Sequence, residues 1–125
     1  MPVDLTNLDL DLTLLQEIAD GSDEFIVESI DMFLQQTPAS LQDVSNAFDE
    51  MDWATAGAAA HKINATLGFF GMLNSQALIQ QIEQSCKTGN PDVMDLINKF
   101  EQVQALIAAN TVALLQIKEE AEAGA

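Results

Sequence analysis

Arginine is absent from this chain, and lysine occurs only four times against twenty aspartates and glutamates, for a formal net charge of -16. A polyanion of that kind is a poor match for phosphate backbones or anionic lipid surfaces, so nucleic acid and membrane partners are excluded by charge alone. The single cysteine, Cys86, has no second thiol for an intramolecular disulfide or a thiolate metal site and reads as a core residue. Long apolar runs are missing, as is the basic start and apolar centre of a signal peptide, which leads us to expect a soluble cytoplasmic protein. Also lacking are a glycine-rich phosphate loop, a histidine pair at ligand spacing, and a serine or cysteine with an identifiable histidine partner. Conventional hydrolytic chemistry therefore lacks its parts, and no metal site or resident cofactor is expected.

What is present suffices for one packed domain. The chain has 125 residues, 48% of them hydrophobic, which is ample for one core and too short for two. Apolar residues recur at helical spacing nearly throughout. Strict alternation occurs only near Val3–Leu12, which we read as an extended lead-in over residues 1–11, since no later segment could pair with it as a strand. A short helix is expected over Thr13–Ala19, stopped near Gly21. Ser22 then caps a helix whose first turn carries Asp23 and Glu24, where carboxylates suit the positive end of the helix dipole. Its stripe of Ile26, Ile30, Phe33, Thr37, Leu41, Val44, Phe48 and Met51 keeps phase across Pro38, so this element is either one kinked helix or two abutting ones. Asp52 caps a helix from Trp53 to about Phe70, ended by Gly71. A further helix starts at Asn74 or Ser75 and stops at Gly89. The last starts from the Asn90–Pro91 signal and buries Val93, Leu96, Ile97, Phe100, Val103, Ile107, Leu114 and Ile117. The fold class expected is all-α: an antiparallel up-and-down four-helix bundle with a short N-terminal lid helix, in a single domain ending in a flexible acidic tail over residues 119–125.

The one histidine, His61, lies in "WATAGAAAHKINATLGFFG", residues 53–71. On a helical wheel of ~100° per residue, Ala56, Ala59, Ile63, Thr66, Leu67 and Phe70 fall opposite it and form the core stripe. His61 then faces solvent. Around it lie Ala54, Gly57, Ala58, Asn64, Ala65 and Gly68, none of them large or charged. Two interior glycines cost a helix roughly 0.8–1.0 kcal/mol each relative to alanine, so helix stability does not account for them. A bare convex strip over which another protein can come close does. Isolated histidines on exposed helices are commonplace; the glycines on both sides and the adjacent Lys62 give this one its weight. A bare strip has no concave pocket for proton-transfer catalysis, but an exposed neutral imidazole is a competent nucleophile, and phosphoryl acceptance needs little beyond close approach.

The run "AAAHKINATLGFFGM" resembles the motif of histidine-containing phosphotransfer (HPt) domains, and "DEFIVESIDMFLQQTP", "MDW" and "CKTGN" extend the likeness over roughly Leu8 to Ile107. The resemblance implies a phosphorelay intermediate with no kinase or hydrolase activity of its own. In that reading His61 accepts a phosphoryl group from a receiver-domain phosphoaspartate and passes it to another receiver aspartate. Lys62 and Asn64 support the phosphoryl group, and Ala54, Gly57, Ala58, Ala65 and Gly68 form the docking face, with Gly68 and Gly71 at family glycine positions. The partners implied are response-regulator receiver domains, with a hybrid histidine kinase as a further candidate, and magnesium is supplied by the receiver. A monomer is expected. The family usually places Lys or Arg three residues after the histidine and Gly or Ser four after, whereas this chain has Asn64 and Ala65. A less well neutralised phosphohistidine follows, on a surface whose acidity opposes a phosphoryl anion. The alternative is a helical interaction module that binds a receiver or other signalling protein through the same strip, with His61 unmodified.

Overall fold

The computed structural model describes residues 8–124; residues 1–7 of the expected lead-in, and Ala125, lie outside them. The described residues form five helices and no strand: α1 (Thr13–Ala19), α2 (Asp23–Asp49), α3 (Trp53–Phe69), α4 (Leu73–Lys87) and α5 (Val93–Gly124). The four long helices close a ring of contacts, α2 against α3, α3 against α4, α4 against α5 and α5 back against α2, while α1 leans on α2. None of these helices is long and apolar enough to cross a membrane.

Caps at two helix starts are those expected. Ser22 Oγ accepts from Phe25 N at 3.1 Å. Asp52 Oδ1 accepts from Thr55 N at 3.2 Å, and Oδ2 accepts from the Thr55 hydroxyl at 2.6 Å. These bonds favour the ionised carboxylate, with the Thr55 side chain the larger cause, and lower the pKa of Asp52. Helix α2 runs unbroken through Pro38 as one element, so of the two arrangements left open by the pattern it is the single helix that forms.

Three departures have local causes. Met51 does not continue the α2 stripe: it is 66% exposed, at φ +57°, two residues past the helix end. There Met51 N donates to Phe48 O at 3.1 Å and Asp52 N to Ala47 O at 2.8 Å, the paired bonds of a Schellman turn, whose left-handed position normally takes glycine. Met51→Gly is therefore expected to raise stability by about 0.5–1 kcal/mol, read as a higher urea midpoint at unchanged m. Helix α5 starts at Val93 rather than at the Asn90–Pro91 signal, because Asp92 makes the cap, accepting from Asp95 N at 3.2 Å. Its first turn consequently turns outward, leaving Val93 and Ile97 exposed. Residues 119–124 of the expected acidic tail continue α5 as helix. Lys118 anchors that end, with Nζ 2.6 Å from Asp31 Oδ1 on α2 and 3.6 Å from Glu122 Oε1 one turn on. The hydrogen bond to Asp31 is the main reason its ammonium titrates above the usual lysine range.

The described part of the lead-in is a strap that seats the α3–α4 corner. Leu10 and Leu12 are buried. Between them Asp11 N donates to Phe70 O at 3.2 Å. Asp9 turns its carboxylate onto the start of α4, accepting from Asn74 N at 2.8 Å, Ser75 N at 2.7 Å and Ser75 Oγ at 2.6 Å. That helix has no cap from its own flanking residue, so a side chain sixty-five residues away in sequence satisfies its first amides. Asn110 of α5 completes the knot by donating to Asp9 O at 2.8 Å. Aromatic edges tie the rest together: Phe48 meets Trp53 and Phe100 at ring separations of 5.9 and 5.4 Å, and Phe33 meets Phe70 at 5.1 Å.

Candidate functional site

Helix α3 buries Ala56, Ala59, Ala60, Ile63 and Leu67, and this stripe turns His61 outward with its side chain 73% exposed. Ala54, Ala58, Lys62 and Ala65 are exposed around it, while Asn64 and Gly68 are half-buried. Gly57 departs from the strip. It is buried, and a Cβ at this position would stand 3.3 Å from Cys86 Cβ and 3.8 Å from Glu83 O on α4. Its small size lets α3 and α4 close on each other, so it serves helix packing rather than an open face. Gly68 has a neighbour too, since a Cβ there would meet Gln76 Nε2 at 2.7 Å.

The surface at His61 is also not convex. A groove of about 550 Å³ runs between α3 and α4, with Gly57 in its floor and Trp53, His61, Lys62, Glu83 and Lys87 among its walls. A second groove, of about 390 Å³ and mainly apolar, lies between α2 and α3, bordered by Phe25, Met32, Ala65 and Phe69. The histidine strip is thus a ridge between two hollows.

Glu83 is the neighbour that sequence reasoning missed. Its side chain is 11% exposed, and its Oε1 lies 2.8 Å from His61 Nδ1 and 3.4 Å from Lys87 Nζ. A signal for it exists in the sequence. Ile79, Ile82 and Cys86 mark the buried face of α4, and Glu83 sits among them as a carboxylate on an apolar stripe with lysine four residues on. A charge in such a place requires a partner from elsewhere in the fold. Asn64 is drawn toward α4 as well: its backbone carbonyl accepts from Gln76 Nε2 at 3.3 Å, and its Oδ1 stands 3.5 Å from Gln80 Nε2.

Electrostatics at the site differ from those of the whole chain. Two of the four lysines, Lys62 and Lys87, line the His61 groove. The other two are engaged elsewhere, Lys99 with Asp95 at 2.7 Å and Lys118 with Asp31. Local positive charge therefore gathers where the global excess is strongly negative, and an anion approaching His61 meets less repulsion than the net charge of -16 implies. No cluster of three or more His, Cys, Asp or Glu side chains among the described residues could hold a metal ion. Cys86 is buried beneath the groove, and desolvation raises its thiol pKa, which suits a packing role.

A ring of helices presenting one exposed imidazole between lysines defines a small class of proteins, helical domains built around an addressable histidine. Within that class the chain belongs to the Hpt domain family, whose model matches residues 28–121. That membership implies histidine phosphotransfer in phosphorelay signalling. The fold is similar to the crystal structure of the HPT domain from the Hpt sensor hybrid histidine kinase from Shewanella, at TM-score 0.73 and 23% identity over 90% of this chain and 95% of that one. No curated protein sequence matches the chain.

Proposed function

We propose that the domain is a phosphorelay intermediate in which His61 takes a phosphoryl group from a receiver-domain phosphoaspartate and returns it to the aspartate of another receiver. The observation that carries this reading is an imidazole 73% exposed on a ridge whose flanking groove holds half of the chain's cations, in a member of the Hpt family. In-line transfer needs a nucleophile that can be approached closely, together with charge neutralisation that the donor can bring. Magnesium therefore belongs to the receiver. Lys62 is the candidate for contacting the phosphoryl oxygens, and Asn64 can add a neutral hydrogen bond. The ring of helices, with connections of a few residues, is read as an up-and-down antiparallel four-helix bundle, active as a monomer in the cytoplasm where receivers occur.

The docking face in this reading consists of Ala54, Ala58, Ala65 and Gly68 on the ridge, with Phe25 and Met32 of the apolar hollow beside it. Small residues on the ridge allow backbone approach, and the hollow offers apolar area to bury. Ala58→Gln keeps helix propensity and fills exposed space only. It is expected to weaken receiver binding at least roughly tenfold with an unchanged melting curve, whereas undiminished affinity by titration calorimetry would remove Ala58 from the interface.

A second reading keeps the same interface without the chemistry, and the uncharged Asn64 favours it. The two separate on incubation with a phosphorylated receiver: a phosphohistidine label is acid-labile and base-stable, and pure binding leaves none.

A further inference from the structure

Val93 and Ile97 lie on the apolar stripe of α5, yet no described part of the domain covers them: they are 39% and 38% exposed, and the neighbouring Met94 is 68% exposed. They line a groove of about 270 Å³ between the end of α2 and the start of α5, together with Phe48 and the buried Phe100, whose rings meet edge to face. On α5 the lining residues Val93, Ile97, Phe100 and Gln104 recur at helical spacing, so the groove follows one helix face for roughly 16 Å, about three turns. The charged residues on its walls are Asp49 and Glu101, both exposed and neither in an ion pair among the described residues. The chain has little with which to neutralise them. It has no arginine, Lys62 and Lys87 line the His61 groove, and Lys99 and Lys118 are held by Asp95 and Asp31.

We propose that this α2–α5 groove is a second docking surface, which takes a basic amphipathic helix of a partner protein: aliphatic side chains three and four residues apart on one face, lysine or arginine on the flanks. The aliphatic anchors displace water from Val93, Ile97 and Phe48, and the adaptable side chain of Met94 closes over the end of the contact. The flanking cations meet Asp49 and Glu101, which fixes orientation and discriminates against acidic helices. A second copy of this chain is a poor occupant, because it brings the same net charge of -16 to the contact, and an anionic membrane is repelled for the same reason. The groove shares no helix with the one at His61. That one lies between α3 and α4 and this one between α2 and α5, on the opposite side of the ring. A helix seated here therefore leaves the imidazole open, and the surface tethers the domain without competing for its histidine. The inference does not depend on phosphotransfer at His61.

The probe is a synthetic helical peptide of about fourteen residues with leucine on one face and lysine on the other, titrated into the ¹⁵N-labelled full chain at roughly 0.15 M salt. Amide shifts are expected to centre on residues 45–49 and 93–104, and a peptide with glutamate in place of lysine is expected to leave them unmoved. Any strongly acidic protein attracts a basic peptide, so paired variants separate docking from bulk charge. Ile97→Gln, at a half-exposed position, is expected to weaken binding at least roughly tenfold, whereas Val112→Gln, 68% exposed on the same helix outside the groove, leaves it unchanged. Glu101→Lys is expected to weaken it by more than Glu119→Lys does; both residues are exposed on α5 and carry the same charge, and only Glu101 lines the groove. Glu101→Lys also keeps the test open should Ile97→Gln fail to fold, since it alters no apolar contact. Absence of binding, shifts centred on the His61 groove or spread over the acidic surface, or equal losses for Glu101→Lys and Glu119→Lys overturn the proposal. So does dimerisation of the unliganded chain in sedimentation equilibrium that Ile97→Gln abolishes, which would give the groove to a second copy.

Discussion

His61→Ala is expected to eliminate acid-labile label from a phosphorylated receiver, a fall of more than about a thousandfold, while the domain still folds. The size of the effect follows from chemistry that no neighbour can replace. The chain has no second imidazole. Lys62 is adjacent, but an ammonium group offers no lone pair. The small structural cost follows from geometry. The histidine side chain is 73% exposed, and its removal leaves Glu83 still within 3.4 Å of Lys87. Losing one partly exposed hydrogen bond costs on the order of 1 kcal/mol, a shift of a few degrees in melting temperature for a domain of this size. Phosphate transfer measured beside circular dichroism separates the two. Label persisting in the alanine variant would place the acceptor elsewhere and end the proposal for His61.

Gly71→Ala is expected to be the most damaging small substitution, at about 3–5 kcal/mol. Gly71 closes α3 at φ +65°, with Gly71 N donating to Gly68 O at 3.1 Å and Met72 N to Leu67 O at 2.9 Å. An L-residue in this left-handed conformation costs roughly 1–2 kcal/mol. Steric conflict adds the remainder: a Cβ would fall on the Asp11 carbonyl oxygen and within 2.6 Å of the Asp11 Cβ. Relief requires the strap to lift, which loosens Leu10 and Leu12 and disturbs the Asp9 cap of α4. Gly89→Ala is the internal control, since Gly89 has φ +76° with nothing within 4 Å of the added Cβ. It should cost about 1 kcal/mol, from backbone strain alone. Equal losses for the two variants in urea unfolding would show that the contact with the strap carries no weight.

Much of this protein is legible without coordinates, because its rules are local. The caps at Ser22 and Asp52 need only a side-chain oxygen and an amide three residues on. The Thr13–Ala19 helix and the outward turn of His61 follow from periodicity of the chain alone. Where local signals compete, they mislead. Asn90–Pro91 is a sound start signal that loses to Asp92, and Met51 is in phase with a helix that has already ended. Helix α5 runs on through the acidic C-terminal residues to 124, and Lys118 just before them finds its partner in Asp31 of another helix.

By itself, then, the sequence determined an all-helical domain, the identity of the histidine, the core stripe beneath it and the HPt likeness, since each depends on residue type and spacing along one helix. Only the tertiary structure decided what stands behind that histidine. Glu83, itself paired with Lys87, reaches His61 because α4 packs against α3, and Gly57 lets the helices come close by leaving room for Cys86. Asp9 likewise becomes the cap of α4 only when the strap crosses the corner. Periodicity tells which face of a helix is buried; which residue of another helix it meets there depends on the relative register of the two, and that is settled by packing across the whole ring.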